Sequence, residues 1–435
     1  MLDLPNITST LDNGLDVIVH EDHGCPIVAV SIWYHVGSKN ERPGRTGFAH
    51  LFEHLMFEGS EHHDRGYFLP IQEAGGSLNG STNADRTNYW EVVPSNDLDR
   101  ALWLESDRMG HLLPALTQAK LDTQREVVLN ERRQSYENRP YGFAGMAVMA
   151  AHYPSHHPYH WSTIGFPADI RAASLADVRE FFTTYYHPAN ASLVIAGDVI
   201  AHEAIAAARE HFGYISTASV PSAVVLPPIQ RDAKSILLED RVELSRLYLS
   251  WPSPALFASA DAEFDLVADI LTGGKSARLY RALIHDRRIA TDVSVQQTSR
   301  ELSGLFSAVV TVAPGIRLAD VEAVISDELE RVALDGVTDE ELRRSRNRLE
   351  ARYAWRRQSV GGFGGKADQL NAYNVFAGTP NFFSEDFDRY QQVTSESIRD
   401  AVAVELKPGV RVALSVVPIG ARDAALADSV PVEMS

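Results

Sequence analysis

The chain has 435 residues, 45% hydrophobic and 23% charged, with a formal net charge of −18. That length exceeds one ordinary domain and can bury a core without covalent staples, and the single cysteine, Cys25, excludes an internal disulfide and a cysteine-based metal site. The acidic balance argues against nucleic acid as a partner, since phosphate binding needs a basic footprint, and no apolar run is long enough to cross a membrane as a helix.

Met1-Leu2-Asp3-Leu4-Pro5 lacks a basic start followed by an apolar stretch. With Met1 as the first residue a cytoplasmic location is expected, and a periplasmic one if a leader has been removed. Leu15 to His20 alternates apolar and polar residues, and Ile27 to His35 (IVAVSIWYH) is a long β-rich run, so both are expected as strands. A polar loop, Ser38 to Arg45, leads to Thr46 as a helix N-cap, and TGFAHLFEHLMF reads as a helix stopping by Gly59. The segment GGSLNGSTNADRTNYWEVVP, residues 75–94, opens as a turn and ends in a strand. From Asn96 the pattern is helical. Leu121 to Gln134 is a charged amphipathic helix, Leu175 to Tyr185 another helix, and Ala191 to Gly197 a strand. Ser216 to Pro228, rich in Ser, Pro, Val and Ala, has no helical period and reads as the start of a linker.

The two halves repeat. SLADVREFFTTYYHPANASLVIAG begins at Ser174 and TSESIRDAVAVELKPGVRVALSVV begins at Thr394, and their apolar positions and prolines align without a gap. With Gly59 set against Gly274, AEFDLVADILTGG aligns with the helix that carries His50. His50 then falls on Asp265, Glu53 on Ala268 and His54 on Asp269, so the second copy keeps the helix and loses the histidines. Gly361 to Lys366 (GGFGGK) lacks the spacing of a phosphate loop and follows a charged helical run, so it reads as a hinge or turn.

His50-Leu51-Phe52-Glu53-His54 carries the chemistry. Residues four apart lie one turn up on the same helix face, so two imidazoles can point at one metal ion with a carboxylate beside them. Zinc accepts neutral imidazole and carboxylate, and its catalytic sites keep three protein ligands and an open position. Water there is acidified, and a neighbouring carboxylate can take its proton.

GRTGFAHLFEHLMFEGS, GGSLNGSTNADRTNYW, QREVVLNERRQ and NRPYG occur in this order. Together they resemble the inverted-zincin peptidases, which include pitrilysin, insulin-degrading enzyme and the mitochondrial processing peptidases. The resemblance covers nearly the whole chain. It implies an α+β fold of two homologous domains from an internal duplication, each a mainly antiparallel sheet packed with helices, facing each other across a cleft. The expected boundaries are 1–215 for the zinc-binding catalytic domain, 216–235 for the linker and 236–435 for a homologous domain without metal ligands. It implies one Zn2+ held by His50, His54 and Glu131, with Glu53 as the catalytic base. Glu126 is the rival third ligand, and helix geometry alone does not choose between them. Relatives often carry a further Glu where this chain has Gln124, a departure that weakens support behind the ligands.

The resemblance also assigns Asn79, Gly80, Ser81 and Thr82 to a substrate-binding edge strand, to which an extended peptide adds by main-chain pairing. Active relatives place an Arg and, six residues on, a Tyr in the second half to hold the substrate carbonyl. The strand Gly304 to Val310 shows no such pair, and Arg346 and Tyr353 fall on an expected helix. The expectation is therefore a zinc endopeptidase subunit for short or unfolded peptides, with a homologous subunit supplying the Arg/Tyr pair in a heterodimer, or a homodimer in its place. A non-catalytic scaffold or chaperone-like subunit of the same fold is the alternative, and zinc content separates the two.

Overall fold

The computed structural model describes residues 4–224, 226 and 231–434. The strands are β1 (Ile7–Thr10), β2 (Asp16–Glu21), β3 (Ile27–Tyr34), β4 (Ser77–Thr82), β5 (Thr87–Pro94), β6 (Ala191–Gly197), β7 (Lys234–Asp240), β8 (Arg246–Ser253), β9 (Ala290–Thr298), β10 (Gly304–Val312), β11 (Val412–Pro418) and β12 (Val430–Pro431). The main helices include α1 (Phe48–Leu55), α2 (Leu98–Ala115), α3 (Gln118–Arg132), α4 (Ala144–His152), α5 (Leu175–Tyr185), α6 (Asp261–Thr272), α7 (Asp339–Arg356), α8 (Lys366–Ala377) and α9 (Ser395–Glu405). The expected linker lies partly outside the described residues, and 216–224 forms neither helix nor strand. No helix among the described residues is long and apolar enough to cross a membrane.

The chain divides into two compact units, one of residues 1–132, 161–226 and 352–384, the other of residues 133–160, 227–351 and 385–435. The first holds a six-stranded sheet in the order β1-β2-β6-β3-β5-β4. Among the described residues of this sheet only β2 and β6 run parallel. All seven residues of β6 (ASLVIAG) are buried, as are seven of eight in β3. Near-continuous apolar runs of this kind belong to central strands covered on both faces. On one face Ser31 and Trp33 meet α8, through Asn371 Nδ2 to Ser31 O at 2.9 Å and Trp33 Nε1 to Asp368 at 3.1 Å. On the other, Tyr34 packs against Tyr89 and Tyr186. β4 is the last strand and pairs with β5 alone among the described residues.

The second unit holds the order β12-β7-β11-β8-β10-β9. Five strands of the two sheets correspond one to one: β2-β6-β3-β5-β4 becomes β7-β11-β8-β10-β9, and the β7–β11 pair is again the parallel one at that position. Only the outermost strand differs, β1 lying antiparallel to β2 and β12 parallel to β7. The repeat seen in the sequence extends to helix ends. α5 starts at Leu175 and α9 at Ser395, 220 residues on, and each is entered through a capping box, by Ser174 and Thr394. The fold is α+β with two related domains.

Compactness does not follow the continuous halves 1–215 and 236–435. α8, from the second half of the sequence, packs on β3 and β6, while α4, from the first half, packs on β11. Each sheet thus receives a helix from the other copy, a long-range exchange that local periodicity does not encode.

Candidate metal centre

In α1, FAHLFEHL, the residues Phe48, Ala49, Leu51, Phe52 and Leu55 are buried. That apolar face turns His50, Glu53 and His54 the other way. Phe52 anchors the helix against Phe182 and Tyr186, with ring centroids 5.5 and 4.3 Å apart. Burying such a side chain contributes about 1.5–3 kcal/mol.

The helix starts differently from expectation. Thr46 is not the cap: its hydroxyl donates to Asp169 at 2.7 Å and accepts from the Phe166 N–H at 2.8 Å. The cap position is Gly47, at φ 81°, where a Cβ would lie 2.8 Å from the Ile164 carbonyl oxygen. The carboxylate of buried Glu41 satisfies the free N–H groups of Gly47 and Ala49, at 2.9 and 2.8 Å. Burial pushes the Glu41 carboxyl up to about 8 against the pull of these donors.

Helix α3 presents Glu131 to α1. Glu131 Oε2 lies 3.5 Å from His50 Nε2 and 3.4 Å from His54 Nε2, and the two imidazole rings stand 4.8 Å apart at 88°. These N···O separations are longer than a charge-assisted hydrogen bond of about 2.7–2.9 Å. They match the spacing of about 3.3–3.5 Å between ligand atoms arranged tetrahedrally around one zinc ion at about 2.0–2.2 Å. Glu126 is exposed on another side of α3 and takes no part in the cluster. Burial, with the adjacent His54, lowers the His50 pKa to about 4, which favours the neutral, ligand-competent imidazole. The adjacent imidazole of His54, with that of His50, holds Glu131 below the usual carboxylate range. The donor set therefore fits zinc.

Glu53 sits beside this cluster. Burial raises its pKa against a hydrogen bond from Thr82, and its Oε2 is buried without a hydrogen-bond partner. β4 runs alongside, packed against α1. Asn79 is exposed and its Oδ1 accepts from the Gly80 N–H at 2.8 Å. A Cβ at Gly80 would press to 3.1 Å on the rings of Phe57 and Tyr89. Ser81 and Thr82 are half-buried.

Arg86 escaped the sequence reading, and Gln124, noted there only as a departure, has partners beside the cluster. Gln124 donates its side-chain amide to Glu58 and is also a hydrogen-bond partner of His54. Burial lowers the His54 pKa, but Glu131, Glu53 and Gln124 together outweigh it and raise the value. Arg86 donates to Ser81 O at 2.8 Å and to Ser81 Oγ at 2.6 Å, and its charge is felt by Glu53. Its only signal in the sequence is a cation inside a loop of small polar residues.

In the second unit, Asp265 accepts from Tyr390 at 2.6 Å and Asp269 is held by Arg348 at 2.7 Å. The residues aligned with the histidines are thus engaged in internal pairing. Arg346 lies on α7 and donates to the carbonyls of Tyr390, Gln391 and Val393. Arg246, at the start of β8, lies 3.6 Å over the Tyr141 ring and lines a cavity with Tyr248 and Arg139.

Two family models match the chain. One, described as insulinase (peptidase family M16), covers residues 16–158, and the other, described as peptidase M16 inactive domain, covers residues 172–349. The chain is 30% identical over 339 residues to zinc protease PqqE of Helicobacter pylori, spanning 77% of this chain and 76% of that protein. It is 26% identical over 363 residues to the mitochondrial-processing peptidase subunit beta of Mus musculus, spanning 80% and 72%. A crystal structure of a protease from Helicobacter pylori superposes with a TM-score of 0.89 at 25% identity, covering 95% of this chain and all of that one. Motif order, duplicated fold and these similarities agree: the chain belongs to the insulinase family of peptidases, M16.

Proposed function

We propose that the chain is a zinc-dependent endopeptidase subunit acting on short or unfolded peptides. The observation that carries this reading is the meeting of His50, His54 and Glu131 at ligand spacing, with the unpartnered oxygen of Glu53 alongside. His50, His54 and Glu131 would hold the ion. Zinc, when bound, supplies Lewis acidity to the scissile carbonyl and to water. Glu53 takes a proton from the attacking water and returns it to the leaving amine. Residues 79–82 on the edge of the sheet receive the substrate as an added strand, with Asn79 and Gly80 nearest the scissile bond and the Ser81 carbonyl already held by Arg86.

In this reading residues 1–215 are the catalytic copy and 236–435 the copy without ligands. A homologous subunit supplies an Arg/Tyr pair across a heterodimer. Elemental analysis of the purified chain for zinc, beside hydrolysis of an unstructured fluorogenic peptide, tests the proposal. One zinc lost on substituting His54, with hydrolysis lost alongside, is the expected result; hydrolysis that survives the loss of metal overturns it.

A further inference from the structure

A second cluster of metal-binding side chains lies in the loop after α1 and on α2. Glu61, His62 and His111 bring one ligand atom each to within 4.8 Å of the others. Glu61 Oε2 stands 3.3 Å from His111 Nδ1, and the His62 and His111 rings are 4.6 Å apart at 77°. The His50–His54 pair has nearly the same arrangement, 4.8 Å and 88°.

The surroundings hold these residues in place. His62 Nδ1 is bonded at 2.6 Å to Asp107, a carboxylate only 4% exposed. Asp107 is held in turn by the Ser60 hydroxyl. A carboxylate on one imidazole nitrogen fixes the ring and leaves Nε2 free as a donor, the usual second layer of a histidine–metal site. His111 departs from helical geometry inside α2, at φ −133° and ψ 22°. Its freed carbonyl accepts the Glu61 N–H at 3.0 Å, which ties the loop to the helix at the cluster. Tyr214 stacks on the His111 ring at 5.9 Å and 26°. A solvated pair of surface histidines needs neither the buried carboxylate nor the broken helical turn.

We propose that Glu61, His62 and His111 form a second divalent-cation site, for Zn2+ or a similar borderline metal. Two imidazoles and one carboxylate suit zinc, copper or nickel rather than calcium or magnesium, which prefer oxygen donors. The bound ion clasps the loop 59–62 to α2. This proposal stands apart from the reading of His50 and His54, and its test is made with that site removed.

The experiment uses the full chain with Zn2+ alone as probe. Equilibrium dialysis followed by elemental analysis should find two zinc ions per wild-type chain and one in His54→Ala. It should find one in His62→Ala/His111→Ala and none in the triple variant, with circular dichroism checking the fold of each. In the His54→Ala background, Zn2+ should raise the Tm, and adding the His62 and His111 substitutions should abolish the rise. Asp107→Asn, which keeps the ring but weakens its orientation, should lower the residual affinity by about 10–100-fold. A folded His54→Ala chain that takes up no zinc at micromolar concentration overturns the proposal, as does uptake that survives loss of both His62 and His111.

Discussion

The side-chain amide of Gln124 donates to the carboxylate of Glu58 while also acting as a hydrogen-bond partner of His54. The neutral amide lies beside His54, whose pKa it helps to raise, and its donor is taken by Glu58, so the negative charge sits on Glu58. His54 is thus backed by an amide that is itself held by a carboxylate.

This arrangement predicts a specific epistasis. Gln124→Glu alone places two carboxylates together and should weaken zinc binding, while Gln124→Glu with Glu58→Gln reverses donor and acceptor and should restore it. Gln124→Ala should lower zinc affinity by about 10–100-fold. Zinc dissociation constants for the four members of the cycle measure this coupling. Additive effects of the two changes would show that Glu58 and Gln124 act independently.

Glu53→Gln should keep zinc and lose hydrolysis. The amide preserves shape but removes the basic oxygen, and a positioned general base contributes about 10²–10⁴-fold. Zinc content and peptide turnover are read on the same sample. Loss of metal in this variant would make Glu53 a ligand and reassign the centre.

A buried ionic cluster joins α2 to β5. Arg108 is paired with Glu105 and lies 3.5 Å from Glu91, with its guanidinium 3.9 Å from the Tyr67 ring and 4.1 Å from the Tyr89 ring. Burial and the neighbouring Glu105 push the Glu91 carboxyl well above the usual range. Removing the cation leaves two buried carboxyls without their counter-charge, so Arg108→Ala should cost about 3–5 kcal/mol. Urea unfolding measures it, and a loss below about 1 kcal/mol would mean that the cluster relaxes or takes up water.

Gly80 tests the edge strand. A Cβ there meets the rings of Phe57 and Tyr89 at 3.1 Å, so Gly80→Val should displace β4 from the flank of α1. Overpacking of this kind costs about 1–3 kcal/mol. Peptide kcat/KM should fall while zinc content holds. Unchanged kcat/KM in a folded variant would separate β4 from substrate binding.

The sequence made the α1 cluster legible because its spacing is local: His50, Glu53 and His54 share one turn of helix, and Phe48, Leu51, Phe52 and Leu55 mark the face to be buried. The duplication was legible for a similar reason, since Ser174 and Thr394 begin stretches that align without a gap. What stayed hidden depends on distant pairing. Glu41 caps α1 from outside the expected N-cap position, Gln124 meets Glu58 from a separate helix, and α4 and α8 are exchanged between the two sheets. Hydrophobic periodicity records which face is buried and not which element covers it.

β10 carries no Arg or Tyr, and Arg346 is committed to the carbonyls of Tyr390, Gln391 and Val393. The residues of the second copy aligned with the histidines, Asp265 and Asp269, are likewise engaged with Tyr390 and Arg348. Loss of one donor to a developing oxyanion costs about 10²–10³ in kcat. The chain alone, at full zinc occupancy, should therefore hydrolyse peptides at least about 10²-fold more slowly than with a homologous subunit that supplies an Arg/Tyr pair. Arg346→Ala should reduce stability through loss of its carbonyl contacts, and the peptide kcat of the remaining folded protein should not change. Turnover of the isolated monomer equal to that of the pair, abolished by Arg346→Ala or by Arg246→Ala without loss of fold, would place the missing donor within this chain and remove the reason for a partner.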